Sequence, residues 1–107
     1  MEDINLNEAF TKIMERRFVK SFLDLFILKL IESEPMWGYK ILKKTEDLHQ
    51  IKLRHGALYP LLNALEANGF IKSKQELQKG RMRKVYRITP KGTHLLKTSQ
   101  NFLKQQL

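Results

Sequence analysis

Residues 70–90 read FIKSKQELQKGRMRKVYRITP, and their pattern changes the character of the chain. Everything before them is spaced like helix. Here two segments of strand-like composition, Phe70–Leu77 and Arg83–Thr89, flank a glycine-bearing turn, Gln78 to Met82. Val85, Tyr86, Ile88 and Thr89 are good strand formers. Two such segments around a short glycine turn predict a β-hairpin. Eight Lys/Arg (Lys72, Lys74, Lys79, Arg81, Arg83, Lys84, Arg87 and Lys91) stand in this region against one acid, Glu76. One or two charges protect a strand edge from aggregation. A cluster at a turn points instead to a polyanion, with Lys79-Gly80-Arg81 as an exposed tip suited to a minor groove or a phosphate pair.

Working back from the hairpin, Asn68-Gly69 is a helix stop, because glycine accepts the left-handed conformation there. The helix it closes covers about His55 to Asn68, with Leu58, Leu61, Leu62 and Leu65 as a stripe at i, i+3, i+4 and i+7. An earlier helix runs from Gly38 to about His49. Its inward residues are expected to be Ile41, Leu42 and Leu48, and its outer face carries Lys40, Lys43 and Lys44. Before that, Val19, Phe22, Leu23, Phe26, Ile27 and Leu30 keep the helical period, while Phe18, Leu25, Leu28 and Ile31 fill most of the remaining surface. A helix apolar nearly all round must be buried nearly all round, so part of it needs a partner, such as a second subunit. Pro35 ends it, since the residue before proline leaves the α region. At the start, Leu6, Phe10, Ile13 and Met14 form another apolar stripe, with Asn5 and Glu8 spaced as a capping box. Beyond the hairpin, Thr89-Pro90 reads as an N-cap and first helical position. It opens a last helix through Leu95, Leu96, Phe102, Leu103 and Leu107, whose apolar face has no later element to cover it.

The expected fold is mainly α with a small β-hairpin: a winged helix-turn-helix with extra N- and C-terminal dimerisation helices. Residues 1–17 are the N-terminal helix and expected dimer contact, 18–89 the DNA-binding domain, and 90–107 the C-terminal dimerisation helix. The expected dimer interface uses Phe10, Ile13, Phe18, Phe22, Leu25, Leu95, Leu96, Phe102 and Leu103.

Length and charge agree. The chain has 107 residues, enough for one core and not for a roomy substrate cavity as well. Its formal charge is +9 and unevenly placed. Residues 1–34 hold five Lys/Arg and seven Asp/Glu (5 − 7 = −2), and residues 35–107 hold fifteen and four (15 − 4 = +11). A basic segment behind a slightly acidic one suggests a polyanion on one face. There is no cysteine, which removes disulfides, thiolate zinc sites and cysteine nucleophiles. The acidic start, Met1-Glu2-Asp3, is unlike a signal peptide. The apolar run from Phe22 to Ile31 is interrupted by Asp24 and Lys29 and is too short to span a bilayer. A cytoplasmic protein without membrane contact is expected.

The outer face of the fourth helix shows His55, Gly56, Tyr59, Pro60 and Asn63, preceded by Lys52 and Arg54. Small Gly56 and Ala57 let a phosphate backbone approach the positive helix N-terminus. Asn63 can pair with a base edge, and Arg54 or Lys52 with phosphate or guanine. An ordinary solvated face has the same composition, and the hairpin tips the balance toward nucleic acid. The expected DNA-binding residues are Lys40, Lys52, Arg54, His55, Gly56, Tyr59, Asn63, Lys79, Gly80, Arg81, Arg83 and Lys84. No enzyme is expected: no acid pair has an acid/base partner, no serine sits in a nucleophile elbow, and no glycine-rich phosphate loop occurs. His49, His55 and His94 lack metal-ligand spacing, so neither a metal nor a cofactor is expected. Trp37, the single tryptophan, reads first as a core or hinge aromatic beside Gly38-Tyr39. The sharper reading makes it a wall of a ligand pocket at the dimer interface, which a compact dimer would form from Trp37, Phe18 and Phe102.

Four segments together resemble the PadR family of regulators. They are Trp37-Gly38-Tyr39-Lys40-Ile41-Leu42, Gly56-Ala57-Leu58-Tyr59-Pro60-Leu61-Leu62, Leu65-Glu66-Ala67-Asn68-Gly69-Phe70-Ile71, and Gly80 to Gly92. The likeness covers roughly residues 22 to 96. It implies a winged-helix homodimer that represses transcription from an operator in double-stranded DNA and is often released by a small-molecule effector. It also implies that Tyr59 touches the DNA backbone or supports the recognition helix, and that the Gly80-Arg81 wing contacts DNA. In the family the C-terminal region drives dimerisation. Here it is one short helix, the compact form, so the N-terminal helix is expected to help. Two positions depart from the pattern: Trp37, where a smaller or histidine-like residue is more usual, and basic Ile51–His55, where Ser or Thr often precedes the glycine. The alternative function is a winged-helix module for protein–protein contacts or for sequence-independent architectural DNA binding.

Overall fold

In the computed structural model, five helices and three short strands follow in the order α1 (Glu2–Ser21), α2 (Leu23–Ser33), β1 (Met36–Trp37), α3 (Gly38–His49), α4 (His55–Ala67), β2 (Ile71–Gln78), β3 (Arg81–Ile88) and α5 (Pro90–Gln106). The structure describes residues 2–107, with side chains from Asn5. Met1, where the expected first segment begins, and the acidic side chains after it lie outside the described residues.

The core sits where α2, α3, α4 and α5 meet the inner face of the sheet. Ile27, Leu28 and Ile31 of α2, Ile41 of α3, Leu58 and Leu62 of α4, Ile71 and Tyr86 of the hairpin and Leu96 of α5 are buried together. The leucine stripe of α4 is thus buried within the chain, as its spacing requires. Thr45 is buried beside Ile41 and donates its hydroxyl to the Ile41 carbonyl at 2.8 Å, so it needs no outside partner. Leu48, expected inward, is exposed; it sits in the last turn of α3, beyond the reach of the core.

The expected hairpin is the larger part of a three-stranded antiparallel sheet, ordered β1-β3-β2. The extra strand pairs Met36 with Tyr86 and Trp37 with Val85. Its two residues leave no alternation to read in the sequence. The wing turn is tighter than the five residues expected, with Lys79 and Gly80 alone at φ 49° and 79°. Two consecutive positive φ values match the right-handed twist of a two-residue hairpin.

The helix ends follow the sequence signals closely. Gly69 (φ 78°) donates to the Glu66 carbonyl and Phe70 to that of Leu65, both at 3.0 Å, closing α4 with a paired C-terminal motif. Thr89 caps α5 by accepting from the Gly92 N–H at 3.1 Å, with Pro90 next. A Cβ on Gly92 would collide with the Phe70 carbonyl, so the start of α5 lies against the exit of α4.

The N-terminal region differs more. The break between α1 and α2 falls at Phe22, four residues beyond the expected 17/18 boundary. It is a bend rather than a gap, because Phe22 donates to the Phe18 carbonyl and Phe26 to that of Phe22. Asn5 lies inside α1, which begins at Glu2, so it is not the cap. Every described side chain from Asn5 to Phe18 is exposed. α1 packs mainly on α2 and projects as an arm, stretching the molecule to 52 × 32 × 22 Å.

Candidate nucleic-acid interface

α4 presents one side of its first two turns to solvent, with Leu58 and Leu62 turned into the core. Arg54 occupies the cap position in extended conformation and offers no side-chain hydrogen bond. Its carbonyl takes the Ala57 and Leu58 N–H groups, both at 3.0 Å. The N–H groups of His55 and Gly56 therefore remain available at the positive end of the helix. A Cβ on Gly56 would meet nothing within 4 Å, so the space before it is open. His55, Gly56, Tyr59, Pro60 and Asn63 are all exposed, as the face read from the sequence requires.

Tyr59 has two roles in this geometry. Its hydroxyl end lies where a Cβ on Gly38 would be, which makes Gly38 a close packing point between α3 and α4. Its other face stacks on His55, with ring centroids 5.7 Å apart and planes 7° from parallel. The ring thereby fixes the first turn of α4 while remaining partly exposed. Asn63, one turn further on, is exposed on the same face.

The hairpin stands beside this helix, and its charges divide into two groups. At the tip, Lys79, Gly80 and Arg81 are exposed, with no acid paired to them among the described residues. Away from the tip, Lys84 and Arg87 are ion-paired, and so is Lys40 of neighbouring α3. Lys40 pairs with Glu34 at 2.7 Å, Lys84 with Glu66 at 3.6 Å, and Arg87 with Glu76 through both carboxylate oxygens. Glu66 also accepts from the Ser73 hydroxyl at 2.5 Å, so one carboxylate of α4 holds both long strands. That hydrogen bond, reinforced by Lys84, keeps the Glu66 carboxyl below the usual carboxylate range. The Arg87 hydrogen bond does the same for Glu76, and the Lys40 hydrogen bond for Glu34. Of the three, only Glu66 ties the wing to α4; Glu76 joins the two long strands to each other, and Glu34 joins the end of α2 to α3.

Between α4 and the wing root lies a cleft of about 440 Å³, bordered by Trp37, Gly38, His55, Tyr59, Arg83 and Lys84. The Arg83 guanidinium lies 5.4 Å from the Trp37 ring, and the Lys40 ammonium 5.8 Å. Trp37 Nε1 and Arg83 Nε are buried there without hydrogen-bond partners. Trp37 thus belongs to the α4–wing surface. Within one chain it shares no hollow with Phe18, which lines another with Met14, Phe22, His49 and Leu107, and Phe102 borders neither. Tyr39 and Met82 also line the Trp37 cleft and are exposed; the sequence reading passed over both. Only the α3–wing juxtaposition singles them out.

The residues expected at a dimer interface separate into three groups. Phe10, Ile13, Phe18 and Phe102 are exposed, while Phe22, Leu25, Leu95 and Leu103 are half-buried. Leu96 is 2% exposed inside the protomer's own core and has no surface left to give a partner. Among the described residues no three His, Asp or Glu gather as a metal site, and no helix is long and apolar enough to cross a membrane.

Comparison with known proteins agrees with this geometry. Residues 27–98 match the Transcriptional regulator PadR-like family. The chain is 34% identical over 92 residues to Transcriptional regulator Rv3488 of Mycobacterium tuberculosis, covering 84% of this chain and 83% of that protein. Among solved structures it is similar to a PadR family transcriptional regulator from Eggerthella lenta, with TM-score 0.74, 26% identity, and 92% and 87% of the two chains covered. A PadR-like transcriptional regulator from Bacillus cereus gives TM-score 0.73 and 28% identity over 84% and 91%.

Proposed function

The chain belongs to the PadR-like family of transcriptional regulators, non-enzymatic proteins that act on DNA, and from that premise we propose that it represses transcription as a homodimer on an inverted-repeat operator. The observation that carries this reading is the exposed first half of α4, with an open N-terminus and a cationic wing beside it. α4 enters the major groove. Asn63 reads a base edge, the N–H groups of His55 and Gly56 meet a phosphate, and Arg81 at the wing tip grips the neighbouring backbone.

Dimerisation is supported by α1. Leu6, Phe10, Ile13 and Met14 form one stripe, and each is at least half exposed. A stripe of that kind needs a partner, and a second copy offers the matching one. With Phe102 and the half-buried Phe22 and Leu103 it gives a self-complementary face, as a two-fold axis requires. Two protomers so related present two α4 helices to half-sites about 34–36 Å apart.

Selection from random duplexes at two salt concentrations tests the reading. An enriched inverted repeat, bound far more weakly at high salt, supports it. Binding without enrichment replaces it with architectural DNA coating, and no binding replaces it with a protein-contact role. In a purified transcription reaction, a repressor lowers the transcript from a template carrying the enriched site. An increase there overturns repression and leaves site-specific binding standing.

A further inference from the structure

On the side of α4 away from the wing, a hollow of about 570 Å³ opens between the end of α1 and the segment leading into α4. Three cations line it: Lys20 from the last turn of α1, and Lys52 and Arg54 from the connecting segment. No acid lines it, and none of the three belongs to an ion pair among the described residues. This separates the hollow from the wing root, where Glu34, Glu66 and Glu76 neutralise their neighbours. Apolar Val19, Leu23, Ile51, Leu53 and Ala57 make up the rest of its wall, so the cations stand around an apolar hollow, and Gly56, with open space before it, also lines it. Lys20, Lys52 and Arg54 are all exposed, so their charges stand at the solvent side of the hollow, where cations without a counter-charge favour an anion.

Resting on the DNA-binding reading above, we infer that this hollow seats a backbone phosphate of the duplex and that Lys20 of α1 is one of its cations. α4 then lies in the groove with the wing on one flank and the α1 hollow on the other. The same helix that carries the exposed apolar stripe also ends on the DNA. The relative placement of two protomers is thereby tied to the grip on the backbone.

The test uses the full chain and the duplex enriched by selection, with affinity measured over a series of KCl concentrations. Lys20→Gln is expected to weaken binding roughly three- to tenfold per half-site at low salt and to make the dimer's log–log salt slope shallower by about 1.8, as loss of one phosphate contact per protomer does. Base preference stays as in the parent, because a phosphate contact carries no sequence information. Lys20→Arg, which keeps the charge, restores both slope and affinity. Lys20 is exposed, so the glutamine variant folds, and sedimentation shows the parent's oligomeric state. An unchanged slope in Lys20→Gln, an altered base preference, or a weakened self-association overturns the phosphate assignment while the DNA reading stands. If the parent itself binds no duplex, the DNA reading falls first and takes this inference with it.

Discussion

α1 and α4 carry the same kind of stripe and put it to opposite uses. In α4, Leu58, Leu62 and Leu65 turn into the core and leave the opposite face, the proposed DNA face, exposed. In α1, Leu6, Phe10, Ile13 and Met14 turn to solvent. Helical periodicity fixes only that each helix has an apolar side. Whether that side is covered within the chain or by another chain depends on what lies across from it. α4 faces α3 and β2, whereas α1 packs mainly on α2 at its end. One stripe therefore contributes to folding, and the other is left for association.

The sharpest way to break this contrast is to truncate both stripes. Leu62→Ala removes a fully buried side chain and is expected to cost about 2–5 kcal/mol, measured by denaturant unfolding at any protein concentration. The reach of the core is tested at the α4–α5 junction. Gly92→Ala must push Phe70 and α5 apart and is expected to cost roughly 1–3 kcal/mol, read as a lowered Tm. By contrast, Ile13→Ala is expected to leave the isolated protomer's unfolding nearly unchanged. It should weaken self-association by about 1.5–3 kcal/mol per protomer, measured by sedimentation over a dilution series. If Ile13→Ala instead destabilised a monomer as Leu62→Ala does, the two stripes would be equivalent.

On the DNA face the effects are smaller and differ in kind. Asn63→Ala is expected to cost about 1–3 kcal/mol at particular base pairs only, seen as relaxed preference in a repeat selection. A glutamate at Arg81 should weaken every duplex alike. The smallest effect concerns the ties between α4 and the wing. Because the folded protein holds Glu66 below the usual carboxylate range, its contribution is complete above that range and lost as pH falls through the lowered value. Acid titration of Glu66→Gln should show less loss of stability than the parent over that interval.

Much of the fold was legible because its signals are local. The Asn68-Gly69 stop, the Thr89-Pro90 start, the leucine stripe of α4 and the basic hairpin each depend on residues a few positions apart. The exposed face of α4 was legible for the same reason, since the stripe fixes the helix and so fixes what lies opposite. What escaped depends on contacts distant in sequence. β1 has two residues and exists only through its pairing with β3. Leu96 looked like its neighbours on α5, yet it alone among the expected interface residues is buried in the chain's own core. Trp37 borders the cleft between α4 and the wing because β1 sets it beside Arg83.

The charges show the division most clearly. The sequence by itself determined that the chain is basic after residue 35 and that eight of its cations fall between Lys72 and Lys91. Only the tertiary structure decided which of those cations are free. Glu34, Glu66 and Glu76 reach Lys40, Lys84 and Arg87 across turns and between elements, while Lys20 is brought from α1 to stand beside Lys52 and Arg54. The physical reason is distance. Coulomb attraction acts over a few ångströms in space, and separation along the chain says little about separation in the fold.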